Sequence, residues 1–169
     1  QTLQQPHPSW TLAQLMWVRR HEPEAASRLR RFCVTKGYVR YRLTGVYSTD
    51  LYDAIGTQLF DVGQERWSEE LLSIVGLTPD AAPRVEPPTS LNGSLTARGA
   101  RDLGLKEGTP VAVGSGDSAV EAAAAGAVTA GDVVVKLGTS ANINAVSESP
   151  IAEIGAMNFS LDDVGIEFQ

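Results

Sequence analysis

Read for the spacing of apolar and polar positions, the chain is a run of short helical and β-branched segments punctuated by Gly and Pro. Leu12 to about His21 carries a helical pattern, introduced by Thr11 and Gln14 as a T-x-x-Q capping box with Trp10 and Leu15 placed as a hydrophobic staple. Pro23 after Glu22 suits a fresh helix start, so a second helix is expected through Arg30. Phe32 to Thr35 reads as a short strand, and Lys36 to Leu43 as a helix that Gly45 ends. Thr49 to Phe60 is mixed: Asp50 and Asp53 flank a short apolar segment, and Gly56-Thr57 breaks it. Ser68-Glu69-Glu70 caps a helix running to Val75, with Gly76 past its end. Pro79, Pro83, Pro87 and Pro88 make Thr78 to Ser90 a connecting loop, after which Thr96 to Leu103 forms a short helix closed by Gly104.

The pattern then sharpens. Gly108-Thr109-Pro110 turns the chain into a β-branched run, Val111 to Val113, which ends in Gly114-Ser115-Gly116-Asp117 and is followed by helix-favouring residues from Ser118 to Ala125. That order predicts strand, tight turn, helix. Beyond Gly126 a strand from Asp132 to Leu137 meets Gly138-Thr139-Ser140, and another from Ala141 to Val146 leaves it, which predicts a hairpin.

Composition narrows the function classes. With 169 residues, 43% hydrophobic and 20% charged, the chain matches one soluble domain or parts of two. No apolar run approaches a membrane span and residue 1 opens no signal-peptide pattern, so neither a membrane nor an export role is expected. The net charge of -6 opposes nucleic-acid binding, and Arg28, Arg30, Arg31, Lys36, Arg40 and Arg42 read as a solvated helix face, with no aromatic platform among them. Cys33, in an apolar stretch, is expected to be a buried inert thiol; its isolation fits the cytoplasm. His7 and His21 are too few and too far apart to suggest a metal site.

Two chemistries compete for the Gly-rich turn. Gly114 to Ala119 has the form G-x-G-x-x-A between strand and helix, the shape of a dinucleotide fingerprint and hence of an oxidoreductase. The acidic partner expected about twenty residues on is missing, since position 136 is Lys. In the other reading Asp117 is a general base that takes the proton of an attacking hydroxyl during phosphoryl transfer. Gly138, Thr139 and Ser140 would then cradle phosphate, with backbone approach at the glycine and two small hydroxyl donors. Structural roles stand beside both: Asp117 as an N-cap, Gly138 to Ser140 as an ordinary turn, Trp10 as a staple. A P-loop is excluded, because no G-x-x-x-x-G-K-[ST] occurs.

TLAQLMWVRRHEPEA at 11–25, KGYVRYRLTGVYSTDLYDAIGTQLFDV at 36–62, WSEELL at 67–72, VAVGSGDSA at 111–119 and VVVKLGTSA at 133–141 stand in one order and spacing. In this the chain resembles the FGGY-type carbohydrate kinases, and within them the xylulokinase branch, over essentially its whole length to about Val146. The tail from Ser147 resembles nothing.

The resemblance implies an α/β protein of the actin-like, ribonuclease H-like ATPase fold, as a fragment of a two-domain kinase. Residues 1–128 would be the later half of the N-terminal, sugar-binding domain; residues 129–169 would open the C-terminal, ATP-binding domain with its β-hairpin. The family's catalytic base falls on Asp117, and its second-domain phosphate turn falls on Gly138 and Thr139, with Ser140 adjoining. ATP and Mg²⁺ are the implied cofactors, a ketose or polyol the acceptor, and a homodimer is admitted. A non-catalytic nucleotide-binding module of the same fold is the alternative. Xylulokinases usually carry Asn after the catalytic Asp, where it helps hold the sugar; Ser118 stands there instead, which leaves the acceptor open between D-xylulose and another sugar or polyol. Trp10 matches a family aromatic and is carried as a sugar contact. The family's first phosphate loop has no counterpart before Trp10, so the chain alone is expected to be inactive.

Overall fold

The computed structural model describes residues 2, 4–138 and 141–149. Helices α1 (Thr11–His21), α2 (Pro23–Arg28) and α3 (Thr35–Thr44) come first, then β1 (Ser48–Thr49), α4 (Leu51–Gly56), β2 (Phe60–Asp61), β3 (Arg66–Trp67) and α5 (Glu69–Ile74). A 3-10 turn (Pro79–Ala81) leads to β4 (Arg84–Val85), β5 (Leu91–Ser94), α6 (Ala97–Leu103), β6 (Pro110–Ala112), α7 (Asp117–Ala124), β7 (Val133–Leu137) and β8 (Ala141–Ala145). The strands pair as β1 with β4 in parallel, and as β2 with β3, β5 with β6 and β7 with β8 antiparallel. Among the described residues no helix is long and apolar enough to cross a membrane.

One apolar cluster holds the first half together. Phe32, Leu59, Leu72, Val75, Leu77 and Ala81 are buried, with Leu12, Leu15, Leu29 and Trp67 packed on them. Trp67 also packs on a second cluster of Ala54, Ile55 and Phe60. Its ring meets Phe32 and Phe60 edge-on at 5.6 and 5.5 Å, and its indole N–H donates to the Pro83 carbonyl at 2.8 Å. A ring that joins two clusters while its polar edge is satisfied fixes α5 and the 78–90 segment against α4.

Several expected boundaries hold for the expected reasons. Ser68 caps α5 by accepting from the Leu71 N–H; Thr96, expected as the first residue of its helix, stands just before α6 and caps it by accepting from the Gly99 N–H. Gly45 ends α3 at φ 78°, a conformation that side chains with a Cβ disfavour. The β7–β8 hairpin pairs Val133 with Ala145 through Leu137 with Ala141. Asp132 sets its entry: the carboxylate accepts from the Val128 and Thr129 N–H groups at 3.0 and 2.8 Å, which lowers its pKa.

Others are corrected. Trp10, not Thr11, is the N-cap of α1; the Gln14 amide donates to the Ser9 carbonyl at 3.0 Å, so the capping box does not form. Leu15 packs on the main core. The second helix stops at Arg28. Phe32 to Thr35 is not a strand, since Thr35 already begins α3. Phe32 is drawn into the core as a single residue, its N–H donating to the Ala81 carbonyl at 3.4 Å. The Tyr47 hydroxyl lies 2.5 and 2.8 Å from the Phe32 and Ala81 carbonyls. Burial pushes that phenol up to about 12. The Pro-rich segment is not all loop, because it holds the 3-10 turn and β4. Cys33 is exposed, though enough protein surrounds the thiol to raise its pKa by desolvation. Finally, Lys36 and Arg40 do not belong to a solvated basic face: both turn inward.

Candidate active site

The strand-turn-helix at 110–124 forms as the Gly-rich pattern requires. Gly116 is the N-cap of α7, without a side-chain bond, and Asp117 is the first helical residue. The N-cap role for Asp117 is therefore corrected. Its Oδ1 accepts from the Ser118 N–H at 2.8 Å, and the residue is exposed. One oxygen is thus engaged by the backbone while the residue stays exposed, which is compatible with a base that meets a substrate hydroxyl.

What positions this turn is buried below it. Arg40, 4% exposed, reaches from α3 to donate to the carbonyl of Val113, the residue that ends the strand run before Gly114. Its other terminal nitrogen donates to the Ser48 carbonyl at 2.6 Å and lies 3.2 Å from the Ser48 hydroxyl. Asn92 of β5 donates to the same hydroxyl at 2.6 Å. Thus one buried cation ties β1 to the residue that follows β6, and β5 joins them through Asn92 and Ser48. Burial lowers its pKa, opposed by the charges of Asp50 and Asp53.

Those two carboxylates stand at the start of α4. Asp50 is the N-cap and accepts from the Asp53 N–H at 3.2 Å. Lys36 lies 2.6 Å from Asp50 and 3.1 Å from Asp53. Burial first, then the charge of Asp50, raises the pKa of Asp53 against the pull of Lys36.

Between this cluster and Asp117 sits Tyr52. A Cβ placed on Gly116 would fall 2.0 Å from Cε1 of the Tyr52 ring, so only glycine lets the ring lie on the backbone there. The phenol shares a hydrogen bond with the Ser118 side chain. Burial raises the Tyr52 pKa, the Ser118 bond opposes it, and the charge of Asp117 adds to the rise.

The remaining expected site residues lie apart from this group. Trp10 is half-buried at the start of α1, where the Leu12 N–H donates to the Thr57 carbonyl; it is thus at the end of α4 opposite to Tyr52. Gly138 is exposed at the end of β7, and Thr139 and Ser140 lie outside the described residues. The hairpin meets α7 through an ion pair of Lys136 with Glu121, one turn along from Asp117. Sequence reasoning missed Tyr52 and Arg40 as site components. The available signal was Gly116 directly before Asp117, which is consistent with a close neighbour without naming it.

The dinucleotide reading fails on topology. Its fingerprint needs a parallel strand after the helix, whereas α7 leads into an antiparallel hairpin and β6 pairs antiparallel with β5.

Comparison with known proteins points to a family of kinases. Residues 1–125 match the model of the FGGY family of carbohydrate kinases, N-terminal domain. The chain is 36% identical to the xylulose kinase of Escherichia coli over 141 residues, covering 83% of this chain and 29% of that protein. Against the xylulose kinase of Streptomyces rubiginosus it is 40% identical over 143 residues, covering 85% and 29%. The solved xylulose kinase of Rhodospirillum rubrum superposes with a TM-score of 0.80 at 29% identity, over 85% of this chain and 30% of that one. The chain belongs to the FGGY family of carbohydrate kinases, and its mixed α/β fold is that of the sugar kinases with the actin-like ATPase architecture. It spans less than a third of the length of these relatives.

Proposed function

We propose that the protein carrying this chain transfers the γ-phosphoryl group of ATP to a hydroxyl of a ketose or polyol, with Asp117 as general base. The observation that carries this reading is the setting of Asp117: exposed, first in α7, with one oxygen held by the Ser118 N–H. As the acceptor hydroxyl attacks phosphorus, its proton passes to the free oxygen of Asp117. Ser118, next to Asp117, is the proposed acceptor contact; Trp10, at the far end of α4, lies apart from it. Gly138 supports a phosphate approach, being exposed and without a Cβ to obstruct it; Thr139 and Ser140 complete the proposed turn. When bound, ATP supplies the γ-phosphoryl group, with ADP as the leaving group.

For Mg²⁺ the described residues offer no group of three or more His, Cys, Asp or Glu placed to hold an ion, so none is assigned to it. In this reading residues 1–128 belong to the acceptor side and residues 129–169 open the nucleotide side. The hairpin supports that division: Val133, Val135, Leu137 and Ile143 are exposed large apolar residues, a face suited to packing under further structure. The chain by itself is expected to be inactive, since it carries the base without most of the nucleotide side. Work in a cytoplasmic pool of ATP and small sugars follows from the reaction.

The reading is tested by ATP turnover of the full-length protein on a panel of ketopentoses and polyols, with Asp117→Asn as control. Turnover on a panel member that the variant loses supports it. Bound ATP with no product from any acceptor favours the non-catalytic module.

A further inference from the structure

Resting on the kinase reading above, we infer that Tyr52 determines acceptor specificity together with Ser118: their paired hydroxyls form a wall beside Asp117 that accepts an uncharged ketose or polyol and disfavours a sugar acid.

Tyr52 meets the residues on either side of the base, Gly116 with its ring and Ser118 with its hydroxyl. Its ring occupies the place of a Gly116 Cβ, at 2.0 and 2.1 Å from Cε1 and Cδ1, and its hydroxyl is bonded to Ser118. Residues 116 and 118 bracket Asp117, so the phenol is fixed relative to the carboxylate without touching the chemistry of proton transfer.

The hydrogen-bonding capacity of the pair suits an acceptor made of hydroxyls. Each hydroxyl offers one donor and two acceptor positions; after their mutual bond the pair retains one donor and more than one acceptor position. An Asn at position 118 would supply donor and acceptor from one side chain. Here that mixed function is divided between Ser118 and Tyr52. A phenol whose pKa burial holds above its ordinary value also remains a neutral donor throughout the working range.

Charge argues for the neutral acceptor. The carboxylates of Asp117, Asp53 and Asp50 all act on Tyr52. The cations nearby are already engaged: Lys36 with Asp50 and Asp53, Arg40 with the Val113 and Ser48 carbonyls, Lys136 with Glu121. A carboxylate on the acceptor would meet like charge and would have to displace one of these partners.

The test measures kcat and KM of the full-length protein on D-xylulose, D-ribulose, glycerol and D-gluconate, for the parent, Tyr52→Phe, Ser118→Ala and Asp117→Asn. Tyr52→Phe keeps the ring on Gly116 and removes only the hydroxyl. The inference predicts a neutral acceptor as the preferred substrate and, in Tyr52→Phe, a KM for it raised about 3- to 10-fold with kcat changed by less than about threefold, as loss of one neutral hydrogen bond implies. It further predicts that Tyr52→Phe and Ser118→Ala combine less than additively, because they remove the same bond. Preference for D-gluconate, or an unchanged KM in Tyr52→Phe while Asp117→Asn abolishes turnover, overturns the inference and leaves the kinase reading intact. Persisting turnover in Asp117→Asn, or none on any acceptor in the parent, overturns that reading instead.

Discussion

The guanidinium of Arg40 donates to the carbonyl of Val113, so a residue of α3 fixes the end of the strand run from which the Asp117 turn departs. Seventy-three residues separate the two in sequence, and one buried side chain connects them.

Replacing Arg40 by Met keeps much of the volume and removes every donor. The carbonyls of Val113 and Ser48 are then buried without that partner, at a cost of about 3 kcal/mol or more in the stability of the full-length protein. Urea unfolding gives the value, and kcat should fall with it as the turn loosens. A midpoint equal to that of the parent would show that Arg40 does not hold the turn.

Gly116→Ala places a methyl group into the Tyr52 ring. The ring or the turn must shift, with an expected loss of about 1–3 kcal/mol and a lower kcat. Combining it with Tyr52→Leu, which clears the space, should restore most of the thermal midpoint but not the acceptor affinity. Additive losses in the double variant would mean the two residues do not meet.

Asp53 gives a pH signature. Its folded pKa is raised above the ordinary carboxylate value of 3.8, first by burial and then by Asp50. The native state therefore holds this proton more tightly than the unfolded chain does. The contribution is fully present below pH 3.8, is lost as pH rises through the folded pKa, and is absent above it. The difference in unfolding free energy between the parent and Asp53→Asn should accordingly vary with pH across that window and flatten above it. A difference independent of pH from acid to neutral would contradict the assignment.

Gly99 sits where α6 crosses α3, and a Cβ there would come within 2.6 Å of the Leu43 carbonyl oxygen. Backbone cannot swing aside as a side chain can, so Gly99→Ala is expected to lower the thermal midpoint by several degrees, on the order of 1–3 kcal/mol of overpacking. An unchanged midpoint would place the two helices farther apart than described.

Much of this architecture was legible locally. The cap at Ser68, the helix beginning at about Thr96, the glycine ending α3 and the hairpin ahead of Ser147 follow from residue chemistry within a few positions of each boundary. What escaped depends on distant partners. Phe32 to Thr35 has strand-forming residues, but a strand needs a neighbouring ladder; here the Phe32 N–H donates to the Ala81 carbonyl while the Val34 carbonyl already accepts from the Tyr38 N–H as α3 begins. Arg40 and Lys36 looked like solvated charges because sequence does not show which face of α3 meets β1, the end of β6 and α4. Asp117 and Ser118 were proposed from the motif and the family resemblance. Tyr52 was not: its place beside them is set by α4, held by Lys36 through Asp50 and Asp53.

The central claim is that Asp117 is the base, and the most direct measurement is kcat for Asp117→Asn in the full-length protein on its best acceptor, beside the thermal midpoint. The side chain is exposed and the amide oxygen can still accept from the Ser118 N–H, so the fold should be unaffected. The account predicts that kcat falls by about 10²- to 10⁴-fold, the range for loss of a general base, with an unchanged midpoint. A kcat within a few-fold of the parent would contradict it and place the proton acceptor elsewhere.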